Sequence, residues 1–441
     1  GALRERTMTF ANRPTLAAVA GFRGWRALRH RNYRLFFIGQ LVSLIGTWMQ
    51  SVAQGWLVLQ LTGDPIYLGL VAAAQFGPVL VLGLFGGVVA DGLPKRRTLV
   101  VTQAIAMALA LALFVLTATG RVTVEQVLGL AFLLGCVNAI EMPTRHAFGV
   151  ELVGREDIGN AVALNSAVFN SARVLGPAVA GLTIGATGLA SAFLLNGISF
   201  LAVIVAYLRM DEGSLGAPPQ FARPTTVREV MTHLRVGLAY VRRTPDVLVP
   251  IVVVGLVATV GMNFNVLIPP LAKDLLNVGA PGYGFLMAAT GLGSLAASLT
   301  IAFGRRNRVA LIGFGAALTG LAELVLAVSG SFSLSLVAMF GAGLGAISMA
   351  ATANTTIQLT VPDELRGRVM SVYTTVFAGS TPLGGLVAGT LASRLGVAEA
   401  IGIGGGLSLI VGLGVIAWYR RAPGMAGEAG PGAAPRSSAQ G

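Results

Sequence analysis

Few residues in this chain can do chemistry, and nearly all of them lie in or beside apolar runs. Glu141 and Arg145 stand four apart with Asn138 three before Glu141, so all three share one face of a helix. A carboxylate placed there can hold an ion pair or carry a proton. Arg173 sits about eleven residues into another apolar run, where a central arginine costs at least about 2.5–3.5 kcal/mol on insertion scales. It is expected to face an interior, either binding an anionic group, tuning a neighbouring acid, or serving as a structural partner. Gln40, Ser43, Thr47, Gln50 and Gln54 are spaced 3, 4, 3, 4. Such a stripe either joins helices through hydrogen bonds or lines a path. Asn138, Asn170, Asn263 (ahead of Pro269-Pro270) and Gln358 are further cavity candidates.

What is missing narrows the chemistry. A phosphate-binding loop needs Gly-Lys followed by Ser or Thr, and the two lysines follow Pro94 and Ala272. Three histidines and one cysteine, Cys136, do not make a zinc site, so no metal is expected. There is no Gly-x-Ser-x-Gly turn. An enzyme within the bilayer would need a converging nucleophile, acid and base, and the apolar runs hold almost no ionisable groups. The chain is read as no enzyme and as needing no cofactor.

The elements that must position these residues are membrane spans. The 441 residues are 54% hydrophobic and 11% charged, where soluble domains carry roughly a quarter charged, and the mean hydropathy is +0.77. Apolar runs long enough to cross a bilayer fall near 34–61, 68–90, 98–119, 124–144, 162–186, 189–209, 246–270, 283–303, 308–328, 332–355, 370–391 and 397–419. The N-terminal stretch is arginine-rich and the first run has full spanning length, so it is read as a retained span and not a cleaved signal. The formal charge of +13 is distributed unevenly. Of 31 Lys and Arg, 27 fall in segments placed on one side; Arg121, Lys273 and Arg394 fall on the other, and Arg173 lies within a span. That is the positive-inside bias, with some attraction to anionic lipid, and no nucleic-acid partner is expected. Both termini are placed in the cytoplasm.

The expected organisation is a cytoplasmic tail over 1–32, a six-helix bundle over 33–209, a cytoplasmic linker over 210–245, a second bundle over 246–420 and a disordered tail over 421–441. In the linker, Thr226-x-x-Glu229 reads as a capping box. Val227, Val230, Met231, Leu234, Leu238 and Val241 then recur at helical spacing, predicting an amphipathic helix along the membrane face. An internal repeat joins the halves: shifting by 208 residues lays Val153, Gly159, Val168, Phe169, Gly176, Val179, Ala180 and Gly181 on Val361, Gly367, Val376, Phe377, Gly384, Val387, Ala388 and Gly389.

Between the second and third spans runs Gly87-Val-Val-Ala-Asp91-Gly-Leu-Pro-Lys95-Arg96-Arg97. It resembles the Gly-x-x-x-Asp-(Arg/Lys)-x-Gly-Arg-(Arg/Lys) signature of the major facilitator superfamily. Gly87, Asp91, Lys95 and Arg96 are in register, while Gly92 and Pro94 depart where the family carries a cation and a glycine. Ala172-x-x-x-Gly176-Pro177-x-x-Ala180-Gly181 is similar to the fifth-helix motif of its antiporters, with two glycines replaced by alanine. The stretches Glu141–Arg145 and Asn165–Pro177 are similar to the branch of bacterial drug, macrolide and siderophore exporters. The resemblance implies an all-α fold of twelve spans in two six-helix bundles. It implies proton-driven export of an amphipathic small molecule from the bacterial inner membrane by a monomer.

It also implies roles. Asp91, with Gly87, Lys95, Arg96 and Arg97, would latch the cytoplasmic side against the start of the eleventh helix, a carboxylate near a helix N-terminus being favoured by roughly 0.3–1 kcal/mol. Glu141 would pair with Arg145, or with Arg96 or Arg97 as a charge relay, and is the candidate proton carrier with Arg145 and Arg173 beside it. Glu323, on the ninth span, is expected to snorkel or to sit at an interface. Inward lipid translocation, or a membrane sensor or scaffold that moves nothing, are the alternatives.

Overall fold

A computed structural model describes residues 25–211, 213, 227–303 and 308–421. Within its helices the side chains of 84–92, among a few others, lie outside the description, as do the remaining parts of both tails, Thr226, Arg305, Arg306 and Asn307. Twelve helices among the described residues are long and apolar enough to cross a membrane. The first bundle holds α1 (Arg31–Thr62), α2 (Pro65–Gly92), α3 (Lys95–Ala118), α4 (Val124–Glu151), α5 (Ile158–Thr187) and α6 (Leu189–Leu208). The amphipathic α7 (Val227–Arg243) follows. In the second bundle, α8 (Pro245–Val260), α9 (Phe264–Pro270) and a π turn over Leu271–Leu275 together make one span. It continues through α10 (Gly279–Phe303), α11 (Arg308–Val328), α12 (Phe332–Thr360), α13 (Asp363–Leu395) and α14 (Val397–Arg421).

Turns alternate between a basic end, marked by Lys95–Arg97 and α7, and a far end where connections are short. The first far-end turn shows how the sequence writes them. Gly63 adopts the left-handed conformation and its N–H closes on the Leu59 carbonyl. Asp64 then caps α2, its carboxylate accepting from the Ile66 N–H at 3.0 Å, and Pro65 occupies the first helical position. Several helices run further at the basic end than hydropathy predicts. The fourth was expected to stop near 144 and reaches Glu151, and the eleventh was expected from 370 and starts at Asp363. Hydropathy marks where lipid ends, and a helix whose side chains reach water need not end there.

The seventh span is broken where it was expected to be continuous. Gly261 and Met262 both donate to the Val257 carbonyl, and Asn263 donates to Gly261, so the ladder fails before α9 begins. Pro269 and Pro270 then lack the amide donors a regular helix would use. The chain recovers through the π turn, whose Leu276 N–H reaches Leu271.

In lipid, helices gain no hydrophobic advantage from meeting one another, so close packing at small residues decides their contacts. The bundles cross at two places related by the internal repeat. A methyl group on Gly181 of α5 would stand 2.9 Å from the Pro281 carbonyl oxygen of α10, and one on Gly389 of α13 would stand 2.9 Å from that of Pro65 on α2. Gly181 and Gly389 are the pair the 208-residue shift superposes, and each packs at the start of a far-end helix. Gly176 lies against Ile45 and Trp48 of α1, and its repeat mate Gly384 against Thr259 and Asn263 of the seventh span.

These crossings seal the far end. One apolar core, built by both bundles, includes Trp56, Leu59, Phe264, Leu267, Tyr283 and Ala388. Trp56 and Tyr283 stack across the bundle boundary with ring centres 6.3 Å apart. At the basic end the cores are separate. Tyr33, Phe36, Phe148 and Tyr207 gather in the first bundle, and Val247, Ile251, Ile357 and Tyr373 in the second. α7 joins the latter: Val241 is buried in it and Gly237 lies against the Arg368 backbone of α13, while Met231 and Leu238 are exposed.

Candidate functional site

Glu141 and Arg145 come together as their spacing requires. The Arg145 Nε donates to Glu141 Oε1 at 2.9 Å, and the Gln103 amide of α3 donates to the same oxygen at 3.2 Å. The two charged residues are 7% and 8% exposed. Beside them Tyr207 of α6 feels both charges and accepts a 2.9 Å hydrogen bond from Gln40 of α1. Four helices thus meet around one buried ion pair. Such a pair is weak evidence for added stability, because desolvation offsets the attraction, but losing one partner is costly.

The loop cations take other partners. Lys95 Nζ reaches Glu151 Oε1 at 2.5 Å, tying the start of α3 to the end of α4. Arg96 donates to the carbonyls of Tyr207 and Leu208 at 2.6 and 2.8 Å, satisfying the last turn of α6. Arg97 is exposed. The Asp91 side chain and the surroundings of Gly87 lie outside the described part, and with them the latch these residues were expected to form.

Arg173 lies with its guanidinium 5.9 Å from the centre of the Trp48 ring, and Trp48 meets Phe169 edge-on at 5.8 Å. A cation over an indole gains about 0.5–2 kcal/mol, and among the described residues no carboxylate forms an ion pair with this arginine. Phe169 is exposed and Arg173 half-buried. Asn170, between them, turns back to donate to the Ser166 carbonyl.

The remaining polar candidates divide. Gln50 accepts from Asn196 of α6 at 2.6 Å, so with Gln40 it joins α1 to α6. Gln54 is buried in the same stripe, and Asn138 is half-buried on α4. Asn263 is buried and donates to the Thr259 carbonyl at the break in the seventh span. Gln358 is exposed and donates to Asn354 at 2.5 Å. Gly176, Pro177 and Gly181 lie where α5 meets α1 and α10.

Glu323 does not snorkel. It is 3% exposed, inside the second bundle beside the break in the seventh span. Periodicity places it on a helix, but only the fold reveals which neighbours cover it.

The model of a family described as transmembrane secretion effectors, within the major facilitator superfamily, matches residues 22–429. The multidrug efflux pump Tap of Mycolicibacterium fortuitum is 29% identical over 373 residues, covering 82% of this chain and 90% of that protein. The staphyloferrin A transporter of Staphylococcus aureus is 23% identical over 381 residues, covering 84% and 92%. Among solved structures, the nucleoside transporter NupG superposes with a TM-score of 0.69 at 13% identity, over 88% of this chain and 99% of that one. A bacterial homologue of the lysosomal transporter Spinster superposes with a TM-score of 0.66 at 13% identity, over 89% and 97%. The chain therefore belongs to the transmembrane secretion effector family of the major facilitator superfamily, and it is a multi-pass membrane transporter and not an enzyme.

Proposed function

We propose that the protein is a proton-driven exporter of amphipathic small molecules, with its basic turns and both termini on the cytoplasmic side of a bacterial inner membrane. The observation that carries this reading is the asymmetry of the molecule. An apolar core shared by both bundles closes the far end, while the cores at the basic end belong to one bundle each. A transporter built from two bundles that meet at paired glycine crossings can exchange this closure for the opposite one by rocking. The positive-inside bias supports reading the basic end, where the two cores are separate, as the cytoplasmic side, so cargo would enter from inside.

Substrate class is supported from two directions. The relatives named above are a multidrug efflux pump and a staphyloferrin A transporter. The half-buried Arg173 with exposed Phe169 beside it offers one charge next to an aromatic face, which suits a molecule with a flat apolar body and an anionic or polar group. The proposed working unit is the monomer in membrane lipid.

The test is transport by the purified protein in proteoliposomes loaded with pyranine. With the lumen acidified, vesicles holding inverted protein should accumulate ethidium or erythromycin while the lumen turns alkaline. A siderophore serves as the third probe. Uptake of any probe without movement of protons would overturn the coupling. Flip of fluorescent lysophospholipid in place of all three probes would overturn the substrate class.

A further inference from the structure

Glu323 lies five residues before the far-end terminus of α11 at Val328. Neither of its carboxylate oxygens has a hydrogen-bond partner. Across from it stands Ser408 of α14, 0% exposed, whose hydroxyl is likewise unpartnered. Gly261, at the break in the seventh span, separates them. A methyl group on it would stand 3.2 Å from Glu323 Oε2 and 2.5 Å from Ser408 Oγ. On the other side Gly405 of α14 closes on the Glu323 stem. A cavity with room for about one water molecule lies beside Glu323, and only apolar atoms show on its surface. Its other walls are apolar, among them Val260, Phe264, Leu267, Ile268, Leu326 and Ile401.

No charge answers this acid among the described residues. α11 carries only Arg308 at its opposite end, and α12 carries no ionisable residue. On the seventh span, Asp246 lies at the start of α8, and Lys273 and Asp274 lie in the π turn. On α14, Glu399, Arg420 and Arg421 lie near the ends. None of these is paired with Glu323. A carboxylate ion without donor or cation would bear an uncompensated desolvation cost, so the form that fits this cavity is the neutral acid. One carboxyl and one hydroxyl supply too few oxygens for a dehydrated metal cation.

Phe264, Leu267, Leu326 and Ile401, which wall the cavity, are also members of the core that seals the far end. Parting that core would uncover the carboxyl to water from the far side. We propose that Glu323 is the proton-binding group of the transport cycle: it takes up a proton when the far end opens, holds it shielded at the break of the seventh span in the state described here, and gives it up to the cytoplasmic side before the far end opens again. This rests on the proton-driven reading above, and it moves the proton site from Glu141, whose carboxylate is already held by Arg145 and Gln103.

Two measurements on the full-length protein in lipid decide it. The first needs no substrate. Infrared difference spectra should show a protonated carboxyl band that is absent from Glu323→Gln and displaced in Ser408→Ala; identical bands in wild type and Glu323→Gln would overturn the assignment. The second uses ethidium and pyranine. Glu323→Gln should still exchange ethidium down its own gradient but lose pH-driven accumulation, with partial recovery in Glu323→Asp. Proton-coupled accumulation by Glu323→Gln at the wild-type rate would overturn the inference, as would accumulation driven by sodium and not by pH. If wild-type protein carries ethidium with no proton movement, the proton-driven reading fails instead, and the infrared result still decides whether Glu323 binds a proton.

Discussion

At the scale of single residues, the ion pair of Glu141 and Arg145 sits where four helices meet, and its energetics are asymmetric. Removing Arg145 alone would leave a buried carboxylate with only the Gln103 amide for support. Arg145→Leu should therefore lose about 3–5 kcal/mol of stability, whereas Glu141→Leu with Arg145→Leu together should recover most of it. Reversible unfolding in mixed micelles, run as a double-mutant cycle, reads this directly; additive losses would show that the pair is uncoupled. The four-residue spacing offered this pairing, because such residues are neighbours on a helix, but it left Arg96 and Arg97 open as partners. Gln103 was not legible, since its contribution crosses from α3 to α4. The same limit applies to Glu323: position on a helix is a local property, and burial against α14 and the broken seventh span is not.

At the scale of elements, hydropathy located all twelve spans because their composition must match lipid over a fixed thickness. It located their basic ends poorly, since α4, α5, α12 and α13 continue into polar sequence. The 208-residue repeat proved more informative than its eight identities suggest, because Gly176 and Gly181 occupy crossings that match those of Gly384 and Gly389 in the other bundle. Gly69 of α2 tests how tightly those crossings are set. A methyl group there would collide with the Gly385 carbonyl of α13, backbone against backbone, with no flexible side chain to give way. Gly69→Ala should insert normally yet force α2 and α13 apart, weakening the seal. Spin labels at the far ends of these two helices should report a longer separation, and an unchanged distance would show that the crossing tolerates the extra carbon. Gly77 of α2 meets nothing nearby, so Gly77→Ala should be silent in the same measurement.

At the scale of the whole molecule, which end is shut was not legible at all. Cations mark which end faces the cytoplasm and not which end is closed, and the seal emerges only when residues remote in sequence, such as Trp56 and Tyr283, face one another. In the proposed rocking, the two basic-end cores, each private to its bundle, let each half keep its own packing. Rocking then costs chiefly the shared far-end core. Ala53 is 0% exposed within that core, and replacing it with cysteine adds little more than a sulfur atom. In a Cys136→Ser background, Ala53→Cys should resist a membrane-impermeant maleimide applied from the far side while the protein rests. During ethidium transport it should become reactive, because each cycle exposes the core to water. A fixed seal with transport by some other route would leave Ala53→Cys unlabelled throughout turnover. Reaction at rest as fast as in turnover would mean that the closed far end is only a minor state of the molecule in lipid.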